Sequence, residues 1–477
     1  MSSLSKTIDN CDTNNEVIPL SGETVKSQSE LPGISRDNTS KVLLRFIDSD
    51  DKPPSMKMEF KNMDAKVPIT PKSKELKTIL NNVSGTVYPG ELVALMGPSG
   101  AGKSTLLNVL GNRFDGISSG DIFINDKPKD KRIKKYLGYV LQHDTLLPNL
   151  TVFETLSITA RLRLPQSLSK VKKMERVNDI IHVMGLTKCR NTLINKISGG
   201  ESKRLSIANE LLINPSVLFL DEPISGLDST TAIAIINTLK NLCKKGRTII
   251  CAIHQPSSQL FNKFDKLALM ASSKLIYFGK VSNVVQYFDS LGYTCPMHYN
   301  PADFLLELIT DNLTNEDDTM FNKDKKDIIK HVQDEWQVKQ ASIYADEADE
   351  YKDVKTDDIN DDRSDKSKSK WNTSWCEQFM ILYIRAFKHR RGHLISWTRF
   401  MDLVMICLLG GLVWFQIPKI EPTINDFMAG TFFIQIYLMF ATMYFGVVHF
   451  PTEKEVIKKE RQSGAYRLSA YYLSKIV

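Results

Sequence analysis

An α/β domain built on a parallel sheet, followed by a helical membrane-spanning segment, is the fold class that three observations predict. Short apolar runs bounded by glycine or acid, LVALMG (Leu92 to Gly97), VLFLDEP (Val217 to Pro223) and TIICAIH (Thr248 to His254), read as strands buried on both faces. Amphipathic stretches such as 172–184 and 230–242 lie between them, and strands alternating with helices predict a parallel sheet. Past residue 370 the chain turns apolar, and Phe427 to Phe450 carries no charge at all.

The 477 residues exceed one ordinary core, since domains typically hold about 100–200 residues. Charged residues at 25% and hydrophobic ones at 42% fit a globular chain. A mean hydropathy of −0.22 fits a soluble part joined to a smaller membrane part. The net charge of +7 is spread along the chain, whereas nucleic-acid binding wants charge concentrated on one face, so no nucleic-acid partner is expected. Seven Cys without a CxxC pair fit reduced cytosolic thiols, not a disulfide framework or a zinc site. The N-terminus, MSSLSKTIDNCDTNNE, lacks the basic-then-apolar run of a cleaved signal peptide.

In chain order, residues 1–55 are rich in Ser, Asn, Asp, Thr and Lys and read as a disordered tail. The α/β domain follows over 56–310. Residues 311–370 are highly charged and read as a solvated linker with one helix around Ile328 to Val338. The last part, 371–477, opens with an amphipathic stretch at 374–393 that ends in a basic cluster, as a helix lying at a membrane surface does. A first span is expected over 398–417 and a second over 427–450, because about 20 apolar residues cross a bilayer core. A third would begin at 466–477. Arg385, Lys388, Arg390 and Arg391 precede the first span, and Lys454, Lys458, Lys459 and Arg461 follow the second. Positive charge on the inner side puts both ends in the cytosol, giving a multi-pass membrane protein with its α/β domain inside.

The chemistry begins at Gly97-Pro98-Ser99-Gly100-Ala101-Gly102-Lys103-Ser104, which matches G-x-x-x-x-G-K-[ST] between a strand and a helix. The glycines let successive N–H groups point inward at phosphate oxygens, and the following helix adds its positive end. Lys103 is expected to reach the β and γ phosphates and Ser104 to offer its hydroxyl to Mg²⁺, with Thr105 beside it. VLFLDEP supplies carboxylates at the C-terminal end of a strand, where open α/β sheets bind ligands. Asp221 is expected to hold Mg²⁺ and Glu222 to polarise the attacking water. The fold is therefore an α/β P-loop NTPase. Ser198-Gly199-Gly200-Glu201, opening a helical stretch, is a further anion-binding turn.

The P-loop, Gln142 in YVLQHD, ISGGE, LDEP, SGLD (Ser225 to Asp228) and His254 in AIHQPSS stand in the order of an ABC-transporter ATPase. The sequence resembles the G subfamily, the white-type half transporters, through GPSGAGKST, SGGE, IHQPSSQLFNKFD, NPADF (Asn300 to Phe304) and an ATPase placed before the membrane helices. The resemblance makes 56–310 an ABC nucleotide-binding domain and 371–477 a partial ABC-2 type transmembrane domain. It implies that Gln142 senses the γ-phosphate and Mg²⁺, and that His254 contacts the γ-phosphate and orients Glu222. It also implies that Asp228 organises the contact between two ATPase domains. Ser198, Gly199, Gly200 and Glu201 would bind the ATP held by the opposite subunit. ATP and Mg²⁺ are the expected ligands, and a second half transporter, identical or different, the expected partner, together with membrane lipid and an unidentified substrate.

An adenine-stacking aromatic is not evident: Tyr88 and Phe60 are the candidates, and neither carries support. Members of the family have six membrane helices per half, and this sequence stops at Val477. Two functions follow as expectations. One is an ATP-driven exporter subunit for a lipid-like or other hydrophobic substrate. The other is a truncated, membrane-anchored ATP-binding module that partners a full transporter. A soluble ABC ATPase of translation or DNA repair is disfavoured, because neither a second cassette nor a long coiled coil is present.

Overall fold

The computed structural model describes residues 53–69, 75–143, 145–310, 319–352, 371–394, 397–415, 418, 421 and 424–476. The expected tail lies almost wholly outside the described residues, as do 311–318 and 353–370 of the expected linker.

Among the described residues ten strands form two sheets. In the first, β1 (Met58–Pro68) pairs antiparallel with β2 (Leu76–Val87) and β4 (Ile117–Ile124), and β4 pairs with β5 (Lys127–Pro128). The second holds β3 (Leu92–Met96), β6 (Leu137–Val140), β7 (Val217–Asp221), β8 (Thr248–Ala252), β9 (Lys266–Ala271) and β10 (Lys274–Lys280) in the order β10-β9-β3-β8-β7-β6. All of its pairs are parallel except β9 with β10. Every residue of β3, β7 and β8 is buried, which is why their sequences are unbroken apolar runs and do not alternate. The β9–β10 hairpin turns through Ser272 and Ser273, both at positive φ (48° and 69°), the twist a two-residue hairpin loop demands.

The helices between the strands are α1 (Lys103–Leu110), α2 (Val152–Arg163), α3 (Lys170–Val183), α4 (Gly199–Leu211), α5 (Ser229–Cys243), α6 (Ser258–Phe261), α7 (Val281–Ser290) and α8 (Pro301–Ile309). Their starts are written in the sequence: Thr151, Ser169, Ser198, Asp228 and Asn300 each accept a backbone N–H as N-cap.

The helix expected around Ile328 to Val338 is present and longer, a 32-residue α9 (Thr319–Glu350), and it joins the core where a solvated segment was expected. Ile329, Val332 and Trp336 are buried, and Trp336 sits among Tyr277, Tyr287 and Tyr344 at ring separations of 5.7, 6.0 and 6.0 Å. Near its end, Glu347 meets the buried Lys266 ammonium at 2.9 Å, and Glu91 faces the same nitrogen at 3.3 Å. Ile329, Val332, Trp336, Tyr344, Glu347 and Tyr351 fall at helical spacing on one side. The charge on the other side dilutes that signal. Trp336→Ala should destabilise the domain by about 3–5 kcal/mol, as large-to-small core changes do, read as a fall in Tm. A loss under about 0.5 kcal/mol, the range of ordinary surface positions, would mean that α9 only rests on the domain.

The apolar part contains α10 (Trp375–Leu394), α11 (Trp397–Val413), α12 (Ile424–Gln462) and α13 (Leu468–Ile476). The second apolar run was expected to end with its helix at 450, but α12 continues twelve residues further, through Pro451. A proline removes one helix hydrogen bond, and the helix-forming run EKEVIKKERQ resumes at once and docks on the ATPase domain. Val456 buries with Leu147 and Leu150, and Ile457 with Leu162, Ile381, Leu382 and Tyr466. Among the described residues no helix is long and apolar enough to cross a membrane. The span expected at 427–450 runs into 441, 442 and 444–450, whose side chains lie outside the described set.

Candidate nucleotide site

The chain leaves β3 at Met96 and curls through residues 97–102 into α1. Gly97 has φ 149°, and a Cβ there would lie 2.3 Å from the Met270 carbonyl oxygen. Gly102 has φ 103°, and a Cβ there would lie 2.8 Å from the Ile79 oxygen. Side chains are thus excluded from both ends of the curl by the backbones of β9 and β2. Ala101 is buried, Ser99 and Gly100 are exposed, and α1 begins without a side-chain cap or an acid in its first turn. Its leading amides are left for an anion, the arrangement that binds phosphate.

Lys103 folds back over the loop and donates to the Gly97 oxygen at 2.7 Å and to the Pro98 oxygen at 2.9 Å. Burial lowers its pKa, and the nearby Glu222 and Asp221 carboxylates oppose that fall. The Ser104 hydroxyl donates to Asp221 Oδ1 at 3.0 Å across the space between α1 and the end of β7. Burial pushes the Asp221 carboxyl up. A hydroxyl, a carboxylate and a nearby side-chain amide make a sparse, all-oxygen donor set. It fits Mg²⁺, which keeps waters and phosphate oxygens as its other ligands. Among the described residues no cluster of three or more His, Cys, Asp and Glu offers an alternative cage.

Glu222 has φ 50°, a left-handed conformation that costs a non-glycine residue about 1–3 kcal/mol. Its N–H donates to the Ala252 oxygen at 3.1 Å, and its carboxylate accepts Gln142 Nε2 at 3.0 Å. Gln142, reached from β6, therefore already lies against Glu222. Asp221 pairs in register with Ala252, so Glu222 and the exposed His254 leave neighbouring strand ends. His254 is thus no core histidine.

The remaining expected residues form a second group. Ser198 caps α4 through a reciprocal box: its hydroxyl accepts the Glu201 N–H at 3.2 Å, and the Glu201 carboxylate accepts the Ser198 N–H at 2.9 Å. A Cβ on Gly200 would lie 3.3 Å from Thr231 and 3.6 Å from Leu227, so this turn packs against the loop and helix after β7. Asp228 caps α5 by accepting the Thr231 N–H at 2.9 Å and the Thr230 hydroxyl. These hydrogen bonds hold its carboxyl well below the usual range.

Three features escaped the sequence reading. Lys203 donates to the Gln142 main-chain oxygen. The Cys189 thiol donates to the Leu186 main-chain oxygen at 3.4 Å. Neither adenine-stacking candidate is free: Tyr88 stacks on Tyr351 at 4.1 Å and Phe60 is a core residue.

Comparison with known proteins follows the same division. An ABC transporter family model matches residues 80–225, and ABC-2 type transporter models match 254–380 and 377–477. The match at 254–380 falls on β9, β10 and the helices up to α9, all packed on the ATPase core. ABC transporter G family member 14 of Arabidopsis thaliana is 41% identical, over 85% of this chain and 63% of that protein. G family member 22 of the same plant is 38% identical, over 97% and 62%. The broad substrate specificity ATP-binding cassette transporter ABCG2 of Rattus norvegicus is 37% identical, over 84% and 63%. The fold and site define an ABC-type ATPase domain joined to an ABC-2 membrane region. The chain is similar to G family ABC transporters over most of its own length, and it spans about three fifths of the length of these relatives.

Proposed function

We propose that the chain binds and hydrolyses MgATP as one half of a dimeric transporter, moving a lipid-like or other hydrophobic substrate across a membrane. One observation carries this reading: the nucleotide residues and the apolar hairpin are parts of one packed body. The chain that leaves Gln142 reaches Leu147 and Leu150, which bury against Val456 of α12. Beside them Arg385 of α10 pairs with Glu460 of α12 at 2.6 Å, and Lys388 pairs with Glu154 of α2 at 2.8 Å. These contacts give a change at Gln142 a packed route to the base of the hairpin.

In this reading the loop amides and Lys103 hold the triphosphate, and Ser104, Asp221 and Gln142 would hold Mg²⁺, which would supply charge neutralisation to the phosphates. Glu222 takes up the proton of the attacking water, and His254 supports it from the neighbouring strand end. Catalysis of phosphoryl transfer is mostly positioning and electrostatics, and these residues supply both. Ser198, Gly199, Gly200 and Glu201 face the ATP of a second half transporter, identical or different, and Asp228 orders the contact between the two. Closure on ATP and parting after hydrolysis then move the hairpins.

The membrane part of the reading is supported by the surface of α11 and α12. Leu403, Met405, Leu408, Leu412, Phe432 and Phe440 are all more than half exposed, a surface that water does not favour. Basic residues flank the apolar runs at both outer ends, which supports a cytosolic ATPase domain and a chain that crosses the membrane twice between them. When expressed in cells, the chain should stay in the membrane pellet through alkaline carbonate washing and leave it in detergent. Release into the carbonate supernatant would refute the spanning assignment.

A further inference from the structure

We propose that Lys203 is a positioning residue that ties the chain's two half-sites together, so that the turn reading the partner's ATP also sets the position of Gln142 in the chain's own site. The proposal rests on the assignment of Gln142 and of Ser198–Glu201 to different ATP sites. Lys203 lies on α4, two residues beyond Glu201. Its side chain is 9% exposed, and its ammonium donates to the Gln142 main-chain oxygen. The Gln142 side chain in turn donates to Glu222 at 3.0 Å. The links run unbroken from the capped turn at Ser198, along the first turns of α4, through Lys203 to Gln142 and on to the catalytic carboxylate.

Charge explains why the link is a lysine. An ammonium is costly to bury, and an aliphatic side chain fills such a space more cheaply when packing alone is required. Here the ammonium has a main-chain acceptor and also lies near Asp221, whose ionised form it favours. It therefore holds the Gln142 main chain and bears on the metal-binding carboxylate. A helix is rigid along its axis, so a phosphate drawn onto the Ser198–Gly200 amides holds the lysine, and with it Gln142, in one place. Release of that phosphate frees the same path in reverse, as reciprocal coupling between binding sites requires.

The experiment compares the purified 477-residue chain with Lys203→Met and Lys203→Arg, using MgATP hydrolysis and fluorescent-nucleotide affinity measured on the same preparations. Lys203→Met should leave nucleotide affinity nearly unchanged and lower kcat roughly tenfold, the cost of a catalytic group held slightly out of place. Lys203→Arg should recover most of the kcat. Parent-like kcat in Lys203→Met, or parallel losses of affinity, kcat and Tm that arginine does not recover, would overturn the proposal. If Lys203→Met does not fold, Lys203→Gln decides by the same readouts. A parent chain that binds nucleotide without hydrolysing it would sink the ATPase assignment itself, which separates that failure from a failure of the link.

Discussion

Glu222→Gln should keep its hold on MgATP while kcat falls by about 100- to 10,000-fold, the range a general base contributes. The substitution is chosen because it changes little else. Glutamine has the same length and keeps an oxygen to accept the Gln142 amide, now at 3.0 Å from the carboxylate. The left-handed backbone at φ 50° is as strained for one residue as for the other, and the N–H bond to Ala252 is untouched. What is lost is the capacity to take a proton from water. Asp221 cannot replace it, since its carboxylate is engaged by the Ser104 hydroxyl. Phosphate release under single-turnover conditions, beside nucleotide binding on the same sample, reads the two effects separately. Unchanged release would remove Glu222 from the chemistry.

The parts of this site that were legible in the sequence are those whose physics is local. A curl of glycines needs contiguous glycines, and a strand that ends in carboxylates writes both in one run, so 97–105 and 217–222 could be read directly. The caps at Ser198 and Asp228 are local too, each joining a residue to one three positions on. The rest depends on pairs far apart in the chain. Lys203 and Gln142 are separated by 61 positions, and neither residue type announces the bond. Tyr88 stood out as an aromatic close to the P-loop, and only the return of α9 shows that Tyr351 already covers it. In α9 itself a buried face is hidden among charges, and composition averaged over the segment reads as solvent. At the other end, Pro451 and the charges after it marked the close of an apolar run, which is a different event from the close of a helix. Hydropathy changes there because the surroundings change, while the backbone continues to where Val456 and Ile457 find their partners.

Lys103→Ala should weaken MgATP binding at least about 100-fold, because two charge-assisted contacts to phosphate are worth roughly 1.5–3 kcal/mol each. The folded chain without nucleotide should barely notice the change. There the ammonium serves only its own loop, bonding the Gly97 and Pro98 oxygens at 2.7 and 2.9 Å, and burial already disfavours its charge. Those two carbonyl bonds are what phosphate oxygens displace: the lysine trades neutral acceptors for ionised ones without leaving the curl. The curl is held open by the backbones of β9 and β2 against Gly97 and Gly102, so removing the side chain does not collapse it. Affinity and Tm should therefore separate in Lys103→Ala, the first falling steeply and the second staying close to the parent. Calorimetry with MgATP beside thermal unfolding without it tests both. An affinity equal to the parent's would mean that the triphosphate is gripped somewhere other than the tip of β3.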